Sequence, residues 1–266
     1  MERRNMLESL YGAYDEDARL TKSRQGQLEY RMTMHHIHRL VPAGSKLLEI
    51  GAGTGRYSIA LAREGYDVTA LELVEHNLEV LRRNAQGLGN LTSHQADATD
   101  LGFLAGDRFD AVLMLGPMYH LYAPQEQHRA LDEAIRLAKP GGLVMVAFLS
   151  VYAILYNNYL QGNFRAGLEE NFDEASHIRH FQDQVFTGFD IEEFEALFAQ
   201  KPVRKLDLIG TDSLLELAQR TGDFQMSDED FELFFRHQLQ CCRKRELLGV
   251  QSHLLYICRK NPGGTG

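Results

Sequence analysis

Three glycines at alternate positions, Gly51, Gly53 and Gly55, separate the apolar run 46–50 from a helical pattern. Because glycine tolerates positive φ and has no side chain, a ligand can lie directly against the main chain of such a turn. The spacing G-x-G-x-G differs from the G-x-G-x-x-G of dinucleotide-binding proteins, since Arg56 stands where the third glycine is needed. The turn therefore predicts a nucleotide-type ligand without a pyrophosphate, such as an adenosyl amino acid.

Two acidic residues follow at the ends of the next predicted strands. Glu72 comes about 20 residues after the glycine turn, where a carboxylate can accept hydrogen bonds from both hydroxyls of a ribose. Asp97 ends the third strand, where its carboxylate can accept from an adenine amino group while the N–H of Ala98 faces a ring nitrogen. Leu73 can lie against one adenine face. The alternatives are a solvated strand end for Glu72 and a turn-forming role for Asp97.

The N-terminal segment carries aromatic residues and an arginine that can form a lid. We expect Tyr14, Arg19 and Tyr30, with Tyr11 nearby, to close over the ligand. Arg19 would then pair with a ligand carboxylate, which guanidinium groups bind in a bidentate way. A solvent-facing N-terminal helix is the alternative.

The elements that hold these residues follow from the spacing of apolar side chains. A helix is predicted at 27–41, and strands then alternate with helices as far as residue 149. This alternation predicts an α/β fold with a doubly wound sheet and helices on both faces. The predicted strands are 46–50, 67–72, 91–96, 109–115, 142–149, 203–209 and 253–258, and the other predicted helices are 55–64, 75–86, 124–138 and 228–248.

The regular alternation of strands and helices ends after residue 150, which indicates an inserted segment over the ligand site. We therefore divide the chain into five parts. They are a helical lid at 1–41, a ligand-binding core at 42–150, an inserted helical cap at 151–202, C-terminal strands and a helix at 203–260, and a disordered tail at 261–266.

Composition restricts the class of partner. The chain has 266 residues, with 44% apolar and 24% charged residues, as in an ordinary globular protein. Its 28 basic and 37 acidic residues give a net charge of 28 − 37 = −9, which disfavours nucleic acid and anionic membranes. Three cysteines do not form a disulfide framework, and no signal peptide or membrane span is recognisable. These features predict a cytoplasmic protein.

Five segments, in this order, resemble the class I S-adenosylmethionine-dependent methyltransferases. They are LLEIGAGTG at 47–55, VTALEL at 68–73, QADA at 95–98, FDAVLML at 109–115 and KPGGLVMVAF at 139–148. More narrowly, ELVEHN at 72–77, LGPMYHL at 115–121 and EDARLTKSRQGQLEY at 16–30 resemble a bacterial group of small methyltransferases. The resemblance implies a Rossmann-like, seven-stranded, mostly parallel sheet with an antiparallel last strand. It also implies S-adenosyl-L-methionine as the cofactor.

The same resemblance assigns cofactor contacts by position. It implies that Glu49 and Gly51 lie near the methionine moiety and that Glu72 holds the ribose. Asp97 and Ala98 would hold the adenine. It also implies that Leu115 closes over the cofactor from the fourth strand. With Ala52, Gly53 and Gly55 of the glycine turn and Leu73 after the second strand, these are the predicted cofactor-binding residues of the core.

In this fold the segment after the fourth strand faces the transferred methyl group, and here it contains Tyr119 and His120. His120 is the candidate general base, because an unperturbed histidine has a pKa of about 6.5. Tyr119 is predicted to pack on the cofactor or to hold the acceptor. The alternatives are a histidine that caps the following helix and a tyrosine of the core. No metal site is expected, since the histidines of 35–38 have no carboxylate or cysteine partner nearby in the sequence.

The sequence therefore predicts a methyltransferase that acts on a small-molecule acceptor, as a monomer or a homodimer. The segment after the fourth strand reads Gly-Pro-Met-Tyr-His, so it lacks the Asn-Pro-Pro-Tyr or Asp-Pro-Pro-Tyr tetrad of amino-group nucleic-acid and glutamine methyltransferases. Two alternatives stay open. One is a regulatory protein that binds the cofactor without catalysis, and the other is an NAD-dependent oxidoreductase, which the glycine spacing disfavours.

Overall fold

The computed structural model describes residues 3–13, 16–181 and 184–262. Within them lie the strands β1 (Lys46–Ile50), β2 (Asp67–Glu72), β3 (Leu91–Gln95), β4 (Phe109–Met114), β5 (Ala138–Leu149), β6 (Val203–Gly210) and β7 (His253–Lys260). They form one seven-stranded sheet in the order β3-β2-β1-β4-β5-β7-β6. The pairs are parallel, except that β7 runs antiparallel to both β5 and β6. The predicted fold class is confirmed.

The helices of the described residues flank this sheet. They are α1 (Arg3–Ala13), α2 (Arg19–Lys22), α3 (Arg24–Leu40), α4 (Arg56–Arg63), α5 (Glu75–Asn84), α6 (Pro124–Leu137), α7 (Val151–Tyr159), α8 (Phe164–Asn171), α9 (Ile191–Ala196), α10 (Leu215–Gln219), α11 (Asp228–Cys241) and α12 (Arg245–Leu248). Two 3-10 helices, Glu16–Ala18 and Pro117–His120, complete them. None of the helices described is both long enough and apolar enough to cross a bilayer.

Two apolar layers, one on each face of the sheet, hold the helices in place. On one face Leu28 and Met32 of α3 pack in a buried cluster with Leu47 of β1. On the other face Leu131 of α6 packs in a cluster with Val112 of β4. The central strands are therefore apolar on both sides, as parallel strands covered by helices must be. This arrangement fixes the carboxyl ends of the strands, where the glycine turn lies.

The structure differs from the predicted elements at two places. The helix predicted at 228–248 is broken, because α11 ends at Cys241 and α12 begins at Arg245. The carbonyl oxygen of Cys242 accepts a hydrogen bond from the N–H of Gly210 at 2.9 Å, so the chain turns towards β6 at this point. Strand β5 also begins at Ala138 rather than at residue 142, since Ala138 pairs with Phe109 before the register shifts.

The segment between β5 and β6 is helical, as predicted. Helices α7, α8 and α9 lie there, and serine and aspartate side chains cap two of them. The hydroxyl of Ser150 accepts from the N–H of Ala153 at the start of α7, and the carboxylate of Asp190 accepts from the N–H of Glu193 at the start of α9. Of the tail predicted to be disordered, residues 263–266 lie outside the described residues.

Candidate active site

A cavity of about 440 Å³ opens at the carboxyl ends of β1, β2 and β4. The glycine turn after β1 forms its floor, and α1 and α2 lie on one side of it. Helices α7 and α10 and the start of β7 contribute residues to the same cavity. In doubly wound sheets ligands bind at this edge, so the topology brings the predicted site residues together.

The glycine turn leaves main chain bare towards the cavity. Gly51 and Gly53 have φ values of +75° and +55°, which residues with a side chain rarely adopt. A Cβ atom on Gly51 would lie 2.6 Å from Cδ of Pro117, so no larger residue fits there. At Gly53 the nearest atom to a Cβ would be 3.5 Å away, in the side chain of Glu16. Gly53 and Ala52 both line the cavity, which is the arrangement that a ligand lying on the backbone requires.

Glu72 fastens this turn from the end of β2. Its Oε2 accepts from the N–H of Gly53 at 2.7 Å, and its Oε1 accepts from the N–H of Val74 at 2.9 Å. The side chain is buried, and burial raises its pKa. Each carboxylate oxygen can accept a second bond, so the group can hold the turn and also receive two ribose hydroxyls. The residue types at this position therefore fit the ribose of the implied cofactor.

Asp97 lines the cavity just after β3, next to the buried Ala98. Its Oδ1 accepts from the N–H of Thr99 at 2.9 Å, and its Oδ2 forms an ion pair with Arg3 of α1. Burial raises the pKa of Asp97, but Thr99 and Arg3 outweigh it, so the pKa lies below its usual value. Leu73 lines the same part of the cavity. Arg3 could not be expected here from the sequence, because no spacing pattern links α1 to the end of β3.

Glu49 lies deeper, beneath the turn. It is buried, and its Oε2 accepts a hydrogen bond from the hydroxyl of Ser58 in α4. Burial raises the pKa of Glu49 to about 8, so the carboxyl group holds a proton at neutral pH. A cationic group placed beside it would favour its ionisation. Leu115, which follows β4, lines the cavity near this point.

His120 is held by two hydrogen bonds. Its Nδ1 donates to the carbonyl oxygen of Val185 at 2.8 Å, and its Nε2 lies 2.9 Å from the hydroxyl of Tyr11, which must then be the donor. Burial lowers the pKa of His120 to about 4, so the imidazole is neutral. The suggested role as a helix cap is not what the structure shows. Ala123 occupies the N-cap position of α6, and no side chain caps that helix.

Tyr119 places a hydroxyl in the same cavity. The side chain is buried, and its oxygen has no hydrogen-bond partner among the residues that the structure describes. The ring centroid lies 5.9 Å from that of His253 and 6.3 Å from that of His120. Because buried hydroxyl groups nearly always have a partner, this one is a donor available to a bound molecule.

The three predicted lid residues have different positions. Arg19 lines the cavity, but its guanidinium already forms two hydrogen bonds with Glu29, at 2.8 and 3.1 Å, and one with Glu16. Tyr30 is placed apart from this cavity, with its ring centroid 5.2 Å from that of Tyr57, beside a separate hollow at α4. Tyr30 faces this hollow because the other sides of α3 pack against the core of the sheet and against α11. Tyr14 lies outside the described residues.

A further pair, Asp212 and His253, was not expected from the sequence. His253 begins β7 and Asp212 follows β6, and antiparallel pairing of Gly210 with Leu254 brings the two together. The Oδ2 of Asp212 lies 2.7 Å from the Nδ1 of His253. Residues 41 positions apart carry no local spacing signal, so only the strand register reveals this pair.

Comparison with known proteins identifies the domain. Residues 47–142 match the family described as a methyltransferase domain. The chain is 35% identical over 145 residues to a demethylmenaquinone methyltransferase of Clavibacter sepedonicus. This match covers 54% of this chain and 57% of that protein. It is 28% identical over 170 residues to a glycine/sarcosine N-methyltransferase of Parasynechococcus marenigrum, covering 63% of this chain and 52% of that protein. The chain thus spans little more than half the length of these relatives.

A solved structure agrees over nearly the whole fold. A methyltransferase from Thermotoga maritima, described as S-adenosylmethionine-dependent and as a possible histamine N-methyltransferase, superposes with a TM-score of 0.58. The match covers 97% of this chain and 99% of that one, at 18% sequence identity, which is evidence for the fold alone. Residues 47–142 are therefore a methyltransferase domain, in a chain with the Rossmann-like fold of the class I S-adenosylmethionine-dependent methyltransferases.

Proposed function

We propose that this protein transfers a methyl group from S-adenosyl-L-methionine to a small-molecule acceptor. One observation carries the proposal: the Glu72 carboxylate holds the bare glycine turn by its bond to Gly53 and lines the same cavity as Asp97, Tyr119 and His120. Ribose, adenine and acceptor contacts are thus available around one space. The names of the relatives differ in their acceptors, a quinone precursor in one and glycine or sarcosine in another.

The cofactor contacts follow the cavity from one end to the other. We assign the ribose to Glu72, the adenine to Asp97, Ala98 and Leu73, and the methionine moiety to the floor of the cavity. The residues of that floor are Glu49, Gly51, Ala52, Gly53 and Leu115, with Arg19 at its edge. Gly55, predicted as a further contact, instead lines the separate hollow at α4, because it faces Leu81 and Ile59. When bound, the cofactor supplies an electrophilic methyl group. The chain's own contribution is then to hold the acceptor in line with that group, a positioning effect worth up to about 7–11 kcal/mol.

Tyr119 and His120 are the candidate catalytic residues. The unpartnered hydroxyl of Tyr119 can donate a hydrogen bond that fixes the acceptor. The neutral His120 can accept one at Nε2, in place of the bond from Tyr11, from an acceptor O–H or N–H. Since burial disfavours the imidazolium of His120, this residue orients the acceptor's hydrogen better than it stores the proton.

The small size of the cavity and the net charge of −9 support a small molecule rather than nucleic acid as the acceptor. We also propose a cytoplasmic location. It is supported by the three cysteines, Cys241, Cys242 and Cys258, which are free and buried, as expected in a reducing compartment.

Titration calorimetry tests the assignment of the cofactor. S-adenosylhomocysteine should bind saturably at one site per chain, because the cavity offers ribose and adenine contacts and Arg56 stands where a dinucleotide-binding turn needs its third glycine. NADH should show no saturable heat. Binding of NADH in the micromolar range, without binding of S-adenosylhomocysteine, would favour the oxidoreductase alternative.

Replacing His120 with alanine should lower the single-turnover rate about tenfold, with cofactor affinity nearly unchanged, because the change removes one hydrogen bond, worth about 0.5–1.5 kcal/mol, that orients the acceptor. The variant also leaves the carbonyl of Val185 and the hydroxyl of Tyr11 without the hydrogen bond to His120. The free energy of unfolding should therefore fall by about 1–3 kcal/mol. Stopped-flow turnover and thermal melting are measured on the same preparation. A loss of stability with a normal turnover rate would end the catalytic role.

Helix α1 should act as a lid. Arg3 holds Asp97, and Tyr11 holds His120, so α1 covers both ends of the cavity in the free protein. Bound S-adenosylhomocysteine should slow hydrogen exchange in residues 3–13, because closure over the ligand suppresses local opening. Helix α11 serves as the internal control, since it packs on α3 away from the cavity. Equal exchange of 3–13 with and without ligand would show that α1 is only an N-terminal helix.

A further inference from the structure

The Asp212–His253 pair forms a second titratable group in the cavity, on the side of β7 and apart from His120. Asp212 is fully buried, and its Oδ1 accepts from the N–H groups of Ser252 and His253 at 3.0 and 3.2 Å. Its Oδ2 accepts from Nδ1 of His253 at 2.7 Å and from Nε2 of Gln25 at 3.1 Å. These four bonds fix the imidazole ring, and they direct its Nε2 away from Asp212.

Charged groups face His253 from three sides. Glu29 of α3 lies 3.9 Å from Nε2, and Glu29 is itself paired with Arg19 of α2. Glu216 of α10 is the third carboxylate of the group, and it is paired with Arg220 at 2.9 Å. Asp212, Glu29 and Glu216 thus surround one histidine, and the two arginines are each engaged with a glutamate.

The surroundings of His253 favour its protonated form. Burial lowers the pKa of His253, but the carboxylates of Glu29, Asp212 and Glu216 outweigh burial and raise it to about 9. At His120 burial dominates and Arg3 adds to it, while the hydrogen bond to Val185 opposes them, so the pKa of His120 is lowered to about 4. At neutral pH, His120 is therefore neutral and His253 is a cation, and of these two only His253 has carboxylates beside it that stabilise an imidazolium.

An unpartnered donor marks the space beside this pair. The buried hydroxyl of Tyr119 has no partner among the described residues, and its ring lies 5.9 Å from the ring of His253. His253, Ser252 and Asn157 line the same cavity as Tyr119. A bound molecule that receives a hydrogen bond from Tyr119 would thus lie next to His253.

We propose that the Asp212–His253 pair is the proton acceptor of this site. His253 is an imidazolium in the free protein, loses its Nε2 proton when the cationic cofactor enters the cavity, and then takes the proton that the methyl acceptor loses. The inference rests on the proposed function, and it assigns to His253 the proton storage for which His120 is unsuited.

The Nε2 proton of His253 and the proton of the acceptor are each accounted for at every stage. A positive charge placed in the cavity repels the imidazolium, because two like charges in a poorly solvated space disfavour each other, and the Nε2 proton passes to solvent. The neutral Nε2 then accepts the proton from the O–H or N–H of the methyl acceptor. Once the methyl group has been transferred, the positive charge next to His253 is gone. Glu29, Asp212 and Glu216 then hold the new imidazolium.

The spacing of Asp212, Glu216 and His253 would also allow a metal ion, since one ligand atom from each lies within 4.8 Å of the others. We favour a proton site, because both oxygens of Asp212 already accept N–H bonds and Nδ1 of His253 is one of the donors. A metal ion would have to break these bonds.

Nuclear magnetic resonance of histidine-labelled protein tests the proposal without turnover. The imidazole signals are titrated in the free protein, with S-adenosylhomocysteine, whose sulfur is neutral, and with sinefungin, which carries an ammonium group in the corresponding position. The His253 signal is assigned by its loss in His253→Gln. If that variant does not fold, Glu216→Gln provides the assignment, because removing one carboxylate should move the midpoint of His253 alone to lower pH.

The expected result has three parts. His253 titrates near pH 9 in the free protein and with S-adenosylhomocysteine, sinefungin lowers its proton affinity at least tenfold, and His120→Gln leaves both midpoints unchanged. A neutral His253 in the free protein, or an equal midpoint with both ligands, would overturn the proposal. A change of the His253 signal on adding Zn²⁺ or EDTA would overturn it in favour of a metal site. If neither ligand perturbs any signal, the proposed function itself fails, and the inference fails with it.

Discussion

Replacing Glu72 with alanine should lower the affinity for S-adenosylhomocysteine at least tenfold while the sheet stays folded. The change removes two hydrogen bonds from the ribose hydroxyls to a charged group, each worth about 1.5–3 kcal/mol. It also removes the hydrogen bonds that Glu72 accepts from the N–H groups of Gly53 and Val74, so the glycine turn is no longer bonded to the side chain at the end of β2. Titration calorimetry gives the affinity, and circular dichroism shows whether the fold survives.

Glu79→Ala is the matched control. Glu79 is an exposed acid on α5, so its removal changes the net charge by the same amount without touching the cavity. We expect its affinity for S-adenosylhomocysteine to equal that of the wild type. Unchanged affinity in Glu72→Ala would refute the assignment of the ribose to Glu72.

Gly53→Val should abolish measurable cofactor binding. Gly53 has a φ of +55°, a region in which a β-branched residue is strained by roughly 1–3 kcal/mol. The branched side chain would also stand in the cavity, over the main chain on which the ligand lies. The melting temperature should fall by several degrees, and calorimetry with S-adenosylhomocysteine should show no saturable heat.

Gly65→Val is the control that distinguishes backbone strain from blocking of the cavity by the valine side chain. Gly65 also has a positive φ, of +93°, but no atom lies within 4 Å of a Cβ built there, and it follows α4 at the end away from the cavity. This variant should lose stability to a similar extent and bind the cofactor normally. If Gly65→Val and Gly53→Val bind equally well, the glycine turn is only a chain reversal.

The strands and the ligand end of the sheet could be predicted because their signals are local. An apolar run that ends in G-x-G-x-G specifies both β1 and the turn, and the pattern of 67–72 specifies β2 with Glu72 at its end. Parallel pairing of β1 with β2 then places the turn beside Glu72. Each of these steps needs only neighbouring residues and the general geometry of α/β sheets.

The parts that could not be predicted depend on contacts between distant residues. Arg3 reaches Asp97 across the cavity, and Asp212 meets His253 only because β7 lies between β5 and β6. The pKa of His120 also differs from that of an unperturbed histidine. A histidine in water has a pKa of about 6.5, and the burial that lowers it is invisible until the insertion is folded over the site.

The position of β7 has a consequence for the site. An antiparallel strand starts at the edge of the sheet where its parallel neighbours end, so His253 begins beside Leu149 at the end of β5. The same edge carries the glycine turn after β1. Parallel strands place only their carboxyl ends at this edge of the sheet. The reversed strand β7 begins there, and it therefore adds a histidine that lies beside buried carboxylates.

Transfer of a labelled methyl group tests the central claim most directly. Wild-type protein and Glu72→Ala are incubated with S-adenosylmethionine that carries a labelled methyl group, together with a low-molecular-weight bacterial extract. We predict that the wild type places label in the small-molecule fraction and forms an equal amount of S-adenosylhomocysteine, and that Glu72→Ala does so at least tenfold more slowly. Saturable cofactor binding by the wild type without label in any small molecule, and without S-adenosylhomocysteine, would contradict catalysis and favour a regulatory cofactor-binding protein.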